Sequence, residues 1–412
     1  MATQKNILFL TTMYPNSLRP STPVCHYFTR EWVKMGYNVL VIYYRSMFPW
    51  YYTLAAKVFP GLAKRVVGNH VEMDRKKCIM QEEKDGVIVY SIPIFKFMPH
   101  GKYGKNEISK QVKTLLGILD DKQFKPDAII GHFYNPQMEI ISQLKVKFPD
   151  ARTCVSLHEL NMAVISNNYR NNFDDIISRI DVIGYRSVPI KNMFEDSFGK
   201  RTFLLCPSGT SPEYISTPLS PKKFTDGPLR SFLYVGQYIR RKYPELVIQA
   251  INEVYGCDDF QMNYIGSKEF FYQSTEQYIN EHHLEHKARM IGKVPREEII
   301  SYYDKADCFI MISKGEVFGL VYLEAMSRGC ITIAGRNEGM EGIIKDGVNG
   351  FFCDPGNLDE LKEVIYKINN LSKPEKEMIS QNAIETARIF SDKKVAQSYI
   401  NNVFNPNSDN LI

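Results

Sequence analysis

Residues 308–335 read CFIMISKGEVFGLVYLEAMSRGCITIAG, and this stretch determines how the rest of the 412-residue chain is interpreted. It begins with a short apolar run, Cys308–Ile312, and ends with a second one, Ile331–Ala334. Between them lie a loop containing glycine and a segment of helical length. Runs that are apolar at every position are typical of parallel strands covered by helices on both faces. The stretch therefore predicts a strand–loop–helix–strand unit of an α/β protein.

The same alternation extends outward from this stretch in two series of apolar runs. The first series is Ile7–Thr11, Val39–Tyr44, Val87–Ile92, Ala128–Gly131, Thr153–Leu157, Val182–Tyr185 and Phe203–Cys206. The second series is Phe232–Val235, Gln261–Ile265, Arg289–Ile291, Cys308–Ile312, Ile331–Ala334 and Gly350–Cys353. The segments between the runs have helical periodicity, so each series predicts a doubly wound parallel sheet. The proline-rich segment between the series, Pro207–Pro228, is interpreted as a linker.

The composition is that of an ordinary globular protein, with 44% apolar and 24% charged residues. No apolar run is long enough to span a membrane. The eight cysteines include no C-x-x-C pair, which predicts buried, reduced thiols and a cytoplasmic location. The opening MATQKNILFLTTMYP has too short an apolar run for a signal peptide and predicts a first strand.

The charge is unevenly distributed along the chain, whose net charge is +5. Residues 1–200 carry 27 basic and 18 acidic side chains, whereas residues 201–412 carry 24 and 28. This asymmetry suggests two domains with different partners. The phosphate-binding G-x-x-x-x-G-K-[ST] and dinucleotide-binding G-x-G-x-x-G motifs are absent, as is any His/Cys cluster with metal-ligand spacing.

The loop and helix within residues 310–352 carry residue types that suit a phosphorylated ligand. Free backbone N–H groups at Phe318–Leu320 and the positive end of the helix dipole favour an anion. Gly319 lets the backbone approach a ligand closely. Glu324 lies about one and a half turns inside the helix, where its carboxylate can accept a hydrogen bond from a sugar hydroxyl. Glu316 stands just before the helix, free to meet a group bound beyond the phosphates.

Glu316 and Glu324 form an E-x₇-E pattern. Phe-Gly follows the first glutamate, Ala325-Met326 follows the second, and Gly329 precedes the next strand. The segment resembles the nucleotide-sugar-binding signature of the family 4 glycosyltransferases, retaining enzymes of the GT-B superfamily, including bacterial members that build surface polysaccharides. The resemblance implies two Rossmann-like α/β domains with doubly wound parallel sheets, facing a central cleft.

A second landmark is FLYVGQYIRRKYPELVIQAI, residues 232–251, which resembles the first strand–loop–helix of the family's donor domain. The loop begins at Gly236, and Arg241 and Lys242 match the basic pair that contacts the donor diphosphate. Two cations on such a loop stabilise the charge that develops on a diphosphate leaving group. Tyr243 stands where the family has glycine. Without the resemblance, this basic run would be interpreted as a solvated loop.

The N-terminal half carries weaker landmarks. In VSLHELN, residues 155–161, His158 matches a strand-end histidine that faces the donor sugar in the family. Histidine there can hydrogen-bond a sugar hydroxyl or the leaving phosphate, although a lone histidine is more often structural. His132 and Asn135, in IIGHFYNPQ, are expected on the acceptor side. Thr22 lies near the position of the family's glycine that meets the donor phosphates.

The resemblance implies that the C-terminal domain binds a nucleoside-diphosphate sugar, here a UDP- or GDP-sugar, as a substrate. The implied catalytic residues are His158, Arg241, Lys242 and Glu316. The implied donor-binding residues are Thr22, Gly236, Lys293, Val294, Phe318, Gly319, Leu320, Glu324, Glu338, Gly339 and Met340. Glu324 would hold the ribose and Lys293–Val294 the base. Glu316 and Glu338–Met340 would meet the sugar hydroxyls, and no metal or other cofactor is implied.

Residues 47–67, MFPWYYTLAAKVFPGLAKRVV, mix aromatic and aliphatic side chains with cations. Trp50 and Tyr51 lie at the start of this segment, which we expect on the acceptor side. Such a mixture suits the surface of an anionic membrane, and the hypothesis is peripheral contact with the inner face of the cytoplasmic membrane. Equally, these aromatics can pack in the N-terminal domain or line an acceptor cleft. No nucleic-acid partner is expected.

The sequence thus predicts an N-terminal acceptor-binding domain over residues 1–207 and a nucleotide-sugar-binding domain over residues 208–390. The C-terminal residues 391–412 are expected to pack back onto the N-terminal domain. The predicted activity is that of a retaining, hexosyltransferase-like enzyme with a saccharide or lipid-linked acceptor, acting in surface polysaccharide or capsule synthesis. Two alternatives stay open, a nucleotide-sugar 2-epimerase of the same fold and a non-catalytic partner subunit.

Overall fold

The computed structural model describes residues 4–15, 23–58, 78–98, 101–219, 222–267 and 271–406. The chain forms two compact units. The first contains the residues up to Arg186, Ile190–Cys206 and those from Ala396 onward, and the second contains Ser187–Pro189 and Pro207–Val395. Each unit is an α/β structure built around one sheet, as the two series of apolar runs predicted.

The first unit contains an eight-stranded sheet in the order β3-β4-β2-β1-β5-β6-β7-β8. The strands are β1 Asn6–Thr11, β2 Asn38–Met47, β3 Met80–Lys84, β4 Val87–Phe95, β5 Ala128–His132, β6 Arg152–Leu157, β7 Val182–Tyr185 and β8 Phe203–Leu205. The helices between them are α1 Val24–Lys34, α2 Trp50–Val58, α3 Lys105–Asp121, α4 Gln137–Lys147, α5 Met162–Tyr169, α6 Phe173–Ile177 and α7 Val188–Phe198. Every side chain from Ile7 to Leu10 is fully buried, because helices cover both faces of the central strands.

The sheet of the first unit is parallel except for one edge strand, β3, which the sequence analysis did not predict. β3 pairs antiparallel with β4 and lies at the edge of the sheet. Its sequence, MQEEK, has no apolar run because its side chains are mostly exposed. Asp85 and Gly86 form the connecting turn with φ values of 50° and 76°. A charged edge strand of this kind discourages pairing with other chains, but it escapes a search for apolar runs.

The second unit contains a six-stranded parallel sheet in the order β11-β10-β9-β12-β13-β14. The strands are β9 Ser231–Val235, β10 Gln261–Ile265, β11 Ala288–Gly292, β12 Cys308–Met311, β13 Ile331–Gly335 and β14 Phe351–Cys353. The helices are α8 Pro212–Ser216, α9 Pro244–Tyr255, α10 Tyr272–Glu281, α11 Arg296–Lys305, α12 Leu320–Ser327, α13 Leu358–Asn369 and α14 Lys373–Ile389. Strand order reverses between β9 and β12, and open parallel sheets bind ligands beyond the carboxyl ends of strands at such a point.

The interpretation of Pro207–Pro228 as a linker is wrong for the residues of this segment that the structure describes. They belong to the second unit, and they include the helix α8, in which Tyr214 is fully buried. The Arg328 guanidinium donates hydrogen bonds to the carbonyl oxygens of Thr217 and Pro218. The amino-acid composition does not reveal this packing, because the segment is held by hydrogen bonds to its backbone carbonyl oxygens and by burial of the Tyr214 ring.

The last helix, α15 (Asp392–Phe404), contributes its residues from Ala396 onward to the first unit. The indole Nε1 of Trp32 donates a hydrogen bond of 2.8 Å to the Ala396 carbonyl. The ring of Tyr399 packs edge-on against Phe28 and Trp32. Trp32 and Tyr399 are fully buried, so this part of the helix belongs to the core of the first unit.

Six of the eight cysteines are buried free thiols, as the sequence predicted. They are Cys25, Cys154, Cys206, Cys308, Cys330 and Cys353. Cys78 and Cys257 are also free but exposed.

Candidate active site

The candidate site lies at the carboxyl edge of the second sheet, where the loops that follow β9 and β12 meet at the reversal of strand order. The first loop begins at Gly236 and the second includes Lys314. The Lys314 backbone N–H donates a hydrogen bond of 2.7 Å to the Arg241 carbonyl, which joins the two loops. A Cβ atom on Gly236 would lie 3.5 Å from the Lys242 ammonium, so glycine leaves the space beside that cation open.

The β9 loop ends in a single 3₁₀ turn, Arg240–Lys242, which sets the positions of the two cations. The next residue, Tyr243, adopts φ 48° and ψ 47°, the left-handed conformation that favours glycine. The resemblance described above implies glycine at this position, and Tyr243 adopts the conformation that glycine would favour. The tyrosine ring packs against Gly356, where an added Cβ would lie 3.0 Å from the ring.

Arg241, Lys242 and Glu316 form one cluster across the two loops. The Lys242 ammonium lies 3.4 Å from the Glu316 carboxylate and the Arg241 guanidinium 3.5 Å from it. The Arg241 guanidinium also donates to the carbonyl oxygens of Lys314 and Gly315. Burial lowers the pKa of Lys242, and Glu316 partly opposes this shift. Three predicted catalytic residues therefore lie together, with the carboxylate balancing the two cations.

The helix α12 begins beside this cluster with Gly319 as its N-terminal cap. Gly319 has φ 82°, and a Cβ there would collide with the Tyr322 ring, so two independent constraints favour glycine. Phe318 is buried, whereas Gly319 and Leu320 are half-buried. The Tyr322 N–H donates to the Gly319 carbonyl at 3.0 Å, whereas the amides before it precede the first helical acceptor, which makes this end suitable for an anion.

Glu338, Gly339 and Met340 lie on the loop after β13 and pack on the β12 loop. The Glu338 carboxylate accepts a hydrogen bond of 2.8 Å from the Glu316 backbone N–H. A Cβ on Gly339 would lie 2.5 Å from the Phe318 backbone, so glycine allows this close approach. The Met340 side chain is only 1% exposed and packs in the core. Any contact between Met340 and a ligand would therefore use its backbone.

Glu324 is buried in the second turn of α12 and is held by two residues that the sequence analysis did not identify. Its carboxylate accepts a 2.7 Å hydrogen bond from the Arg296 guanidinium and a 3.2 Å hydrogen bond from the Tyr303 hydroxyl. Burial raises the pKa of Glu324, and the positive charge of Arg296 opposes this shift. Both partners lie on α11, which directly follows Lys293 and Val294. Lys293 is exposed and Val294 half-buried, immediately after β11 at the same edge of the sheet.

His132 and His158 form a hydrogen-bonded chain in the first unit. The Nε2 atom of His158 lies 3.1 Å from Nδ1 of His132, and Nε2 of His132 lies 3.1 Å from the Tyr399 hydroxyl. Burial lowers the pKa of both histidines well below the ordinary value, and the charge of Arg186 adds to the shift. Both imidazoles are therefore neutral at pH 7. A ligand that meets His158 would use Nδ1, since Nε2 is engaged.

His158 also lines a cavity of about 360 Å³ at the carboxyl edge of the first sheet. The lining residues are Thr12, Lys96, Phe133, Tyr134, Asn135, His158, Glu159 and Val164. Asn135, predicted on the acceptor side, is among them, whereas His132 lies fully buried behind His158. Trp50 and Tyr51 lie on α2 and are 66% and 43% exposed. Thr22 lies outside the described residues.

Residues 218–386 match the protein family described as glycosyl transferases group 1. The chain is 25% identical over 318 residues to an uncharacterized glycosyltransferase of Methanocaldococcus jannaschii, which covers 76% of this chain and 84% of that protein. It is 22% identical over 401 residues to the amylovoran biosynthesis glycosyltransferase AmsK of Erwinia amylovora, covering 88% and 90%. The C-terminal part of this chain therefore matches the glycosyl transferases group 1, and most of its length is similar to glycosyltransferases.

A solved structure with the fold of this chain is that of Anabaena HepE in complex with UDP and glucose. The two align with a TM-score of 0.64 at 16% identity, over 98% of this chain and 100% of that one. At this level of identity the likeness concerns the fold, and it confirms the prediction of the GT-B architecture with two α/β domains.

Proposed function

We propose that this protein is a glycosyltransferase that moves a sugar from a UDP- or GDP-sugar to a saccharide or lipid-linked saccharide, with retention of configuration, in surface polysaccharide or capsule synthesis. The observation that carries the proposal is the cluster of Arg241, Lys242 and Glu316 beside the N-terminus of α12. Two cations and a set of free helix amides suit a diphosphate. The UDP bound to Anabaena HepE supports the donor class, and the amylovoran relative supports a polysaccharide product.

The cluster suggests how the donor diphosphate is stabilised. As the bond from the sugar to the diphosphate breaks, negative charge grows on the departing phosphate oxygen. Lys242, mostly buried, and Arg241 are held in place before the donor binds, so they do not need to reorganise as this charge develops. The amides of Gly319 and Leu320 add fixed dipoles of the same sense.

Glu316 changes partners in this proposal. Without a donor its carboxylate neutralises the two cations. A diphosphate brings negative charge to the same cations and releases Glu316 to accept hydrogen bonds from the sugar hydroxyls. Its backbone stays fixed, because the Glu338 carboxylate accepts a hydrogen bond from the Glu316 N–H.

The other donor contacts follow from the same edge of the sheet. The Glu324 carboxylate, which Arg296 and Tyr303 hold in place, accepts hydrogen bonds from the ribose hydroxyls. Lys293 and Val294 lie against the base. His158, in the first unit, is neutral, so the role proposed for it is that of a hydrogen-bonding group rather than a charge. Catalysis then rests on positioning and leaving-group stabilisation by these residues, and we propose that no metal takes part.

The wild-type protein should be stabilised by sugar nucleotides of one base class. A ligand that binds only the folded state at 100 times its Kd adds about 2.7 kcal/mol to the free energy of unfolding. A thermal-shift screen of UDP-, GDP- and ADP-sugars, with the free sugars as controls, checks this. No shift with any sugar nucleotide would contradict the proposed donor site.

Radiolabelled sugar nucleotides then test the reaction itself. Label transferred to a saccharide or lipid-linked acceptor, with and without EDTA, supports a metal-independent transferase. An epimerised sugar nucleotide would show the 2-epimerase instead, and donor binding without either product would show a non-catalytic subunit.

We further propose that α2 binds the surface of an anionic membrane and so attaches this protein to it. Trp50, Leu54 and Val58 lie on one face of the helix and are 66%, 51% and 59% exposed. Within the described residues, no helix is long and apolar enough to cross a membrane. An exposed apolar face suits attachment to a membrane surface, and in the sequence three cations, Lys57, Lys64 and Arg65, lie within or soon after this helix.

Replacing Lys57, Lys64 and Arg65 by glutamate should abolish flotation with vesicles rich in phosphatidylglycerol. Each cation near an anionic surface contributes about 1 kcal/mol, so loss of three weakens membrane partitioning on the order of 100-fold. A Trp50→Ser/Leu54→Ser variant should also fail to float and should stay in the bottom fraction of the gradient. The matched control, Tyr366→Ser/Met378→Ser, removes two comparably exposed apolar side chains from the second unit. Wild-type protein that does not float would contradict the membrane proposal.

A further inference from the structure

The cavity of the first unit is built from residues that directly follow parallel strands. Thr12 follows β1, Lys96 follows β4, and Phe133 follows β5. His158 and Glu159 follow β6. The carboxyl ends of parallel strands lie at one edge of a sheet, and β1 and β5 are the neighbours between which strand order reverses. The cavity therefore occupies the same kind of place in the first sheet that the cation cluster occupies in the second.

Lys96 gives this cavity a partly desolvated cation. It is the only lysine or arginine among the described residues that line the cavity. Its ammonium lies 5.0 Å from the centroid of the Tyr103 ring, which is a weaker partner than a carboxylate. Burial lowers the pKa of Lys96 to about 8, so the side chain is mostly protonated at pH 7. Such a cation gains from an anion that enters the cavity.

The cavity also contains hydrogen-bond acceptors. The Oδ1 atom of Asn135 is buried and has no hydrogen-bond partner within the described part of the chain, whereas its Nδ2 atom donates to the Gly101 carbonyl. The Glu159 carboxylate lines the same space and accepts a hydrogen bond from the Asn161 N–H. A buried acceptor without a donor is costly, and a hydroxyl group would satisfy it.

We propose that this cavity binds an acidic sugar or sugar phosphate of the acceptor, with its anionic group on Lys96 and its hydroxyls on Asn135 and Glu159. The inference rests on the proposed function, because it assigns the ligand to the acceptor rather than to the donor. A carboxylate and a phosphate offer Lys96 the same chemistry, namely a compact anion that pairs with an ammonium.

The test compares three acceptor mimics that differ at one position of the same ring, namely octyl β-glucoside, octyl β-glucuronide and octyl β-glucoside 6-phosphate. Each is titrated into the full chain below its micelle concentration, and Kd is measured by calorimetry. At least one charged mimic should bind 10-fold or more tighter than the neutral one. Which charged mimic binds more tightly distinguishes a uronic acid from a sugar phosphate.

Lys96→Met should remove this preference, and Lys113→Met serves as the matched control. Lys113 is an exposed lysine on α3 of the same unit, so its loss changes the net charge equally. Asn135→Ala should weaken the binding of all three mimics to a similar degree, since each of them carries the same ring hydroxyls. Equal affinity for the three mimics in wild type, no binding of any, or a preference that survives Lys96→Met would overturn the inference.

UDP and GDP titrations of the same samples separate this inference from the proposed function. Lys96→Met should bind the nucleotide as wild type does. Nucleotide binding without a charge preference refutes only the acidic acceptor. Wild-type protein that binds neither nucleotide refutes the proposed donor site.

Discussion

Lys242→Ala should lower kcat by 10²–10³-fold. Removing one preorganised donor to a developing negative charge costs about 2.7–4 kcal/mol of transition-state stabilisation, and Lys242 is the better desolvated of the two cations, with 13% side-chain exposure against 43% for Arg241. Stopped assays with the donor identified by thermal shift measure the effect. The loss should appear mainly in kcat, because Arg241 and the α12 amides still bind the ground-state diphosphate.

The structure supplies a control for that prediction. Lys314 is exposed on the neighbouring loop, and its backbone N–H, which Ala retains, bonds to Arg241. Lys314→Ala should therefore keep activity within a few-fold of wild type. Lys242→Ala should remain folded, because Glu316 keeps Arg241 as a partner. A folded Lys242→Ala enzyme with wild-type kcat would remove the leaving-group argument.

Most of the two sheets was predictable because their central strands are continuous apolar runs in the sequence. Every run interpreted as a strand is a strand in the structure. The features that escaped prediction lack such a signal. β3 is a charged edge strand, and the described residues of Pro207–Pro228 are held by hydrogen bonds from the distant Arg328 side chain.

The sequence predicted which residues belong to the candidate site, but not which of them pair with one another. The resemblance to the family's motifs identified Arg241, Lys242 and Glu316, yet only three-dimensional packing shows that the carboxylate lies against the two cations. Arg296 and Tyr303 were missed because their role depends on α11 lying beside α12. Neither residue belongs to a recognisable motif, although Arg296 directly follows the predicted base-binding segment and Pro295.

Lys96 escaped the sequence analysis for a related reason. It follows an ordinary apolar strand and no pattern surrounds it. The role proposed for it depends on partial burial beside Phe133 and later residues, which are 37 or more positions away in the chain and meet it only through the order of the sheet.

Glu324→Gln should weaken binding of the sugar nucleotide by about 10–150-fold. Hydrogen bonds to a charged group contribute about 1.5–3 kcal/mol, and glutamine keeps the shape of the side chain while losing the charge and half of its acceptors. The remaining carbonyl cannot serve Arg296, Tyr303 and two ribose hydroxyls together. Calorimetric titration with the preferred donor measures the change in Kd.

Two further variants separate lost recognition of the ribose from a disturbed helix. Tyr303→Phe removes one hydrogen bond to Glu324 but leaves its charge and Arg296 in place, so donor affinity should fall by less than in Glu324→Gln. Glu297→Gln removes an equal charge from an exposed position on α11 and should not alter Kd. Because Glu324 is 5% exposed, the free energy of unfolding must be measured beside Kd. Unchanged donor affinity in a stable Glu324→Gln protein would assign this carboxylate to the packing of α11 against α12 and leave the ribose to another group.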